Sequence, residues 1–180
     1  MEIYFLQYRE IVKTMWGLMI LSYICILVAL LLLFLSALQG YFQFQIFQAY
    51  HSQFALFSTV FYMFTETLIM FYFIGSGTAI KKTIQTTGIS TGLYDKVKKT
   101  KMKLFPHLTL NMILIGTVFI LGGAVQTGRI SGWIHGLLFD FTFIHLIYTT
   151  YQQHLGFKGN VEIIEKISIS QTTMANGSPS

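Results

Sequence analysis

Charge is what this 180-residue chain has least of: Asp, Glu, Lys and Arg together make up 11% of it, where a water-soluble domain usually carries about 25%. With so few charges there is no polar coat for a water-exposed surface, which excludes an ordinary soluble enzyme, a disordered tail and a nucleic-acid-binding module. Cysteine is nearly absent too. Cys25 stands alone, so neither a disulfide framework within the chain nor a cysteine-based zinc site exists. There are only two prolines. In their place are 17 Phe, 10 Tyr and a hydrophobic share of 53%, with a mean hydropathy of +0.59. The class is an integral membrane protein.

A membrane-spanning helix needs about 20 apolar residues, because each adds about 1.5 Å to a path of about 30 Å. Four stretches meet that length, at about 15–38, 55–77, 106–126 and 132–153. The third opens with Pro106, a residue best tolerated in a first helical turn. Strand-like alternation is missing from most of the chain, so the expected fold is all-α: a four-transmembrane-helix bundle. The first span is too long for the apolar core of a cleavable signal peptide and is read as retained.

The cations set the expected orientation. Lys81, Lys82, Lys96, Lys98, Lys99, Lys101 and Lys103 lie between the second and third spans, Arg9 and Lys13 precede the first, and Lys158 and Lys166 follow the fourth. Only Arg129 lies on the other side. Loops rich in Lys and Arg remain in the cytoplasm, so both termini are expected there, in a prokaryotic inner membrane. The expected organisation is then a cytoplasmic segment (1–14), a membrane domain (15–155) with a basic cytoplasmic loop (78–105), and a cytoplasmic tail (156–180) whose end is disordered. The run from Lys96 to Lys103 suits anionic lipids of the inner leaflet as well as serving orientation alone. Laying the first two spans over the last two gives no convincing internal repeat.

Two of the seven acids, Glu66 and Asp140, fall inside spans. Insertion scales put the cost of an ionised side chain at a helix centre near 2.5–3.5 kcal/mol, so such residues face the bundle interior and have partners. Counting inward from the outer edge, Glu66 lies about 16 Å deep, Asp140 about 12 Å and His145 about 20 Å. These three are the candidate proton or ion site. Asp140 and His145 point about 140° apart on their helix, which sets a limit on their sharing one ion. The competing structural reading of Glu66 is a protonated acid that joins helices through a Tyr, Thr or backbone carbonyl.

Five histidines form the second theme. His51 and His135 sit at a similar outer depth, and His107 is level with His154 on the inner side. A b-type heme needs two imidazoles from different helices at one depth, with small residues around them; His51 and His135, near Gly122, Gly123, Gly132 and Gly136, are the candidate ligands. Copper or iron held by some of His51, Glu66, His135, Asp140 and His145 is the alternative cofactor. The Gly75-Ser76-Gly77 triplet lacks the strand and lysine of a phosphate loop and is read as ending or closely packing its helix. Ser residues lie mainly at span ends, so no hydrolase triad is expected.

Short loops leave little room for a soluble active site, and catalysis by the chain alone is not the favoured expectation. The leading reading is a small integral membrane subunit of a larger redox or oxidase complex, assisting by heme or metal binding or by proton conduction. An oligomeric proton or cation transporter and a purely structural assembly subunit are the alternatives, and other membrane subunits or further copies of the chain are the expected partners.

Overall fold

A computed structural model describes residues 2–88 and 92–176. It is all-helical: α1 (Glu2–Phe42), α2 (His51–Thr87), α3 (Gly92–Gln126) and α4 (Gly132–Asn176). Among the described residues three segments are long and apolar enough to cross a membrane: Val12–Phe42, His51–Thr86 and Gly92–Gln126. Their faces away from the bundle are lined with exposed Leu, Ile and Phe, such as Leu27, Phe64, Ile113 and Ile120, a surface that needs hydrocarbon around it.

Local chemistry ends each helix. Between α1 and α2 the chain reverses tightly, with Gln43, Phe47 and Gln48 at positive φ and Ile46 and Ala49 paired through their backbones. Gln39 of α1 braces this turn by donating from Nε2 to the Ala49 carbonyl at 2.7 Å. The left-handed Gly88 (φ 69°) closes α2 by donating its N–H to Ile84, a glycine cap. Gly128 at φ 70° does the same after α3, where Arg129 N–H returns to the Ala124 carbonyl.

The helices are longer than the apolar stretches suggest. The segment 78–105 is not a loop: α2 runs on to Thr87 and α3 starts at Gly92. Pro106 therefore lies inside α3 instead of opening it. Segment 156–176 continues α4, although the sequence reading expected a disordered end from 168; residues 177–180 lie outside the described part. The cause is burial at helical spacing among charged residues. Ile80, Ile84, Val97, Leu104, Phe157, Ile163, Ile164 and Ile167 form one buried cluster, and packing of such a stripe stabilises a helix more than its propensity does. Gly75 and Gly77 accordingly sit within α2. Gly77 leaves a notch for Lys101, whose Nζ would stand 3.0 Å from a Cβ at that position.

In the bundle α1 packs on α2, α2 on α3, and α3 on α4, while α1 and α4 pack more loosely. Sequential neighbours joined by short turns run antiparallel, so α2 and α4 run parallel and face each other across the centre. There the contacts recur at one offset. Ser76 bonds Asn160, 84 positions on; Phe73 stacks on Phe157; His51 meets His135; Ile80 and Ile164 share a cluster. Each pair has the same offset. The buried residues of α3, namely Val97, Leu104, Leu108, Asn111, Ile115 and Val118, match Met15, Ser22, Ile26, Ala29, Leu33 and Ser36 of α1, each 82 positions earlier and each buried. The two hairpins thus show one pattern of buried positions and contacts, while their sequences give no convincing match. In the second helix the equivalent residues agree only at His51/His135, Phe57/Phe141, Thr65/Thr149, Phe73/Phe157, Gly75/Gly159, Ile80/Ile164 and Lys82/Lys166.

Candidate functional site

The two hairpins bring two histidines together at the end of the bundle where the α1–α2 and α3–α4 turns lie. His51 is the first residue of α2, and His135 lies in the first turn of α4. Their ring centres are 6.3 Å apart with planes at 72°. Each ring lies against a glycine of the other helix in its own hairpin. A Cβ on Gly40 would stand 3.1 Å from Cε1 of His51, and one on Gly122 would stand 3.2 Å from Cε1 of His135. Gly40 and Gly122 are equivalent positions of the two hairpins. So are Ser36 and Val118, whose backbones lie near His51 and His135. Both Nδ1 atoms are buried and lack a partner in good hydrogen-bond geometry, as does Gln39 Oε1 nearby in sequence to Gly40. Unsatisfied buried polar atoms are uncommon in folded proteins, and each calls for an explanation.

Glu66, Asp140 and His145 do not form one set. Glu66, 2% exposed, accepts at Oε2 from Gln153 Nε2 at 2.8 Å. Asp140 is exposed and accepts at Oδ2 from the Tyr41 hydroxyl at 2.8 Å; the missing side chain of Gly136 leaves room for that tyrosine. His145 bonds Asn111 through Nδ1. Depth along the helices placed these three residues at one level, but helical angle sends Asp140 toward α1 and His145 toward α3.

The inner histidines also pair differently from the expectation. His107 faces His145 (5.6 Å between ring centres), not His154, whose Nδ1 meets the Tyr23 hydroxyl at 2.8 Å. Among the described residues no group of three or more His, Cys, Asp or Glu side chains could hold a metal ion. Of the residues His51, Glu66, His135, Asp140 and His145, only the pair His51–His135 comes together.

Around Glu66 the structure adds groups that the acids and histidines alone did not announce. Tyr62, one turn earlier on α2, lies near Glu66 and Asn111 without a hydrogen bond to either in good geometry. Tyr62 Oη, Asn111 Nδ2, Thr150 Oγ1 and Gln153 Oε1 are all buried without a partner in good geometry. The sequence signal was present for Tyr62, on the stripe of Glu66, and for Asn111, on the polar stripe of α3. For Gln153 it was masked, because the residue sits where the apolar stretch ends.

The chain matches no family model, no curated protein and no solved structure.

Proposed function

We propose that the chain is a small electron-carrying subunit of a larger redox complex in a prokaryotic inner membrane, and that it holds a b-type heme between His51 and His135. The observation that carries this reading is the 6.3 Å between the two ring centres. A metal–imidazole bond is about 2.0 Å long, and a ring nitrogen lies about 1.1 Å from its ring centre, so two imidazoles on one metal ion have centres at most about 6.2 Å apart, and the observed spacing is near that limit.

The donor count selects the group. Among the described residues no third ligating side chain joins the two imidazoles, which would leave a lone metal ion short of ligands, whereas a porphyrin would bring four nitrogens of its own and His51 and His135 would complete the set. When bound, the heme would supply one-electron redox chemistry. The chain's own residues would do the holding: His51 and His135 would supply the imidazoles, and Gly40 and Gly122 let each ring lie on the helix backbone. Groups packed against a ligating histidine in this way help to fix its orientation.

In this reading all four helices cross the bilayer and both termini lie in the cytoplasm. α4 is diluted by polar residues, but it returns antiparallel along α3 after a turn of five residues (127–131), and a neighbour of that kind crosses wherever α3 does. Eleven of the twelve cations then lie on the cytoplasmic side. Lys96, Lys98, Lys99 and Lys103 are exposed on α3 and face anionic lipid, while Lys101 turns inward onto Gly77. With helices throughout and turns of a few residues, the donor and acceptor of the electron belong to partner subunits.

The test is a reduced-minus-oxidised absorption spectrum, with metal analysis, of the protein purified in mild detergent. A Soret band and iron near one per chain are expected, both lost in His51→Ala. Bound copper without a Soret band, or a colourless, metal-free sample that co-purifies with fixed partners, contradicts the heme reading; the latter result makes this a structural subunit.

A further inference from the structure

The oxygen atoms around Glu66 have no part in the heme reading. Glu66 is 2% exposed and Tyr62 1%, and the two stand one turn apart on α2. On α4, the fully buried Gln153 holds the Glu66 carboxylate through its Nε2 at 2.8 Å. Thr150 lies one turn before Gln153 on the same helix. Tyr62 Oη, Thr150 Oγ1 and Gln153 Oε1 are all buried without a hydrogen-bond partner in good geometry. A cleft brings Tyr62, Thr65, Glu66 and Thr150 to one surface, closed on the α1 side by Ile26, Ala29 and Leu30.

Three orphaned oxygens beside one carboxylate call for a common cause, since each such atom has lost its hydration without a replacement. Water does not supply it. The cleft has no space for a water molecule, and a bridging water needs room as well as polar partners. The apolar lining groups, Ile26, Ala29, Leu30 and Leu146, have no side-chain donor to offer, and the Thr65 hydroxyl already donates to the Phe61 carbonyl at 2.9 Å. What the atoms share is oxygen lone pairs around a single acid.

We propose that Glu66, Tyr62, Thr150 and Gln153 form a binding site for one dehydrated sodium ion. This goes beyond the heme reading and does not rest on it. The donors select the kind of ion: an all-oxygen set suits a hard cation, whereas copper, zinc and iron favour imidazole or thiolate. Charge selects its valence. Glu66 carries one negative charge, and among the described residues no Lys, Arg or second acid lines the cleft. A divalent ion would keep one positive charge unbalanced in the bundle interior, where an unpaired charge is costly. Size excludes a hydrated ion and favours sodium over the larger potassium, because the cleft is too narrow for water. An acid buried within a membrane-crossing segment commonly marks an ion site, and Glu66 lies inside the apolar segment His51–Thr86. Held there, the ion ties α2 to α4 across the centre of the bundle.

The experiment is thermal unfolding of the full chain in detergent at constant ionic strength, with choline chloride replaced stepwise by sodium chloride. The unfolding midpoint is expected to rise with sodium, because an ion that binds only the folded state stabilises it. Potassium should need at least tenfold more for the same rise. Glu66→Gln keeps the shape of the side chain and a partner for Gln153, and is expected to abolish the rise. Tyr62→Phe and Thr150→Val each remove one oxygen and should raise the half-effective sodium concentration at least tenfold; they keep the test available if Glu66→Gln fails to fold. Asp140→Asn, at the other acid read within a span, should respond as the wild type does. His51→Ala should lose heme and keep the sodium response, so failure of the heme reading and failure of this site are told apart. A wild-type midpoint indifferent to sodium, an equal response to potassium, or a full sodium response in Glu66→Gln or in both oxygen-deleting variants would overturn the proposal.

Discussion

Valine at Gly40 or at Gly122 is expected to lower heme occupancy at least tenfold, approaching the loss caused by removing the histidine each glycine supports. The two rings rest on backbone where a side chain would be, with Cε1 only 3.1 Å and 3.2 Å from the positions a Cβ would take. That is closer than ordinary van der Waals contact, and the branched methyls of valine extend further still. Each ring would have to swing away from the axis, whereas a ligand constellation tolerates displacements of only about 0.5 Å. Losses of about 10- to 100-fold are typical when the groups that orient a metal ligand are disturbed. Heme titration of the two purified variants checks this, and because the glycines are equivalent in the two hairpins the two losses should be similar. Gly75 is the control, since nothing lies within 4 Å of a Cβ there; Gly75→Ala should retain full occupancy. Normal occupancy in Gly122→Val would show that the ring position does not matter to binding.

Replacing Gln153 by leucine is expected to be the most damaging single change in the middle of the bundle. Gln153 is fully buried, and its Nε2 supplies the 2.8 Å bond to Glu66. Leucine leaves a carboxyl in the core without that donor, and an abandoned buried polar group costs about 1–3 kcal/mol. Removing both partners together should cost less than the two single changes added, because the second change removes the group that the first left unsatisfied. Hydrogen-bond couplings in membrane bundles average about 0.6 kcal/mol and reach about 1.7 kcal/mol; the upper part of that range is expected for a pair buried this completely. Unfolding of Gln153→Leu, Glu66→Leu and the double variant in mixed micelles measures the coupling. Strict additivity would mean that the bond contributes nothing to the fold.

The all-helical fold was legible from apolar length, because a chain with so little charge must bury its helices in something other than water. Helix ends were not legible. The apolar positions Ile80, Ile84, Ile163, Ile164 and Ile167 stand among Lys, Glu and Gln, so a hydropathy window sees a polar segment where the bundle sees a buried stripe. The shared pattern was hidden for a related reason. What the two hairpins share is the pattern of buried positions, filled in one hairpin by Ser22 and Ala29 and in the other by Leu104 and Asn111. The offset also changes between the first and second helix, which defeats a direct overlay.

The candidate site shows the same division. Residues at equal depth can be counted from sequence, and that count set His51 beside His135, whose rings do meet, and set Glu66 level with Asp140 and His145. Which way each one faces depends on how the helices are rotated in the bundle. Asp140 was lost to Tyr41, and His145 to Asn111, for that reason. Glycine had a readable role only after the fold was known. Gly122 and Gly136 looked alike as small residues near a histidine, yet one seats the His135 ring and the other seats Tyr41.

Two histidines, one from each hairpin, are expected to hold one iron ion between them. Electron paramagnetic resonance of the oxidised, purified protein tests this. Two axial imidazoles should give a low-spin ferric heme signal in the wild type, replaced in both His51→Ala and His135→Ala by a high-spin signal or by none. A low-spin signal that persists unchanged in either variant, or a wild-type protein without a ferric heme signal, would contradict it.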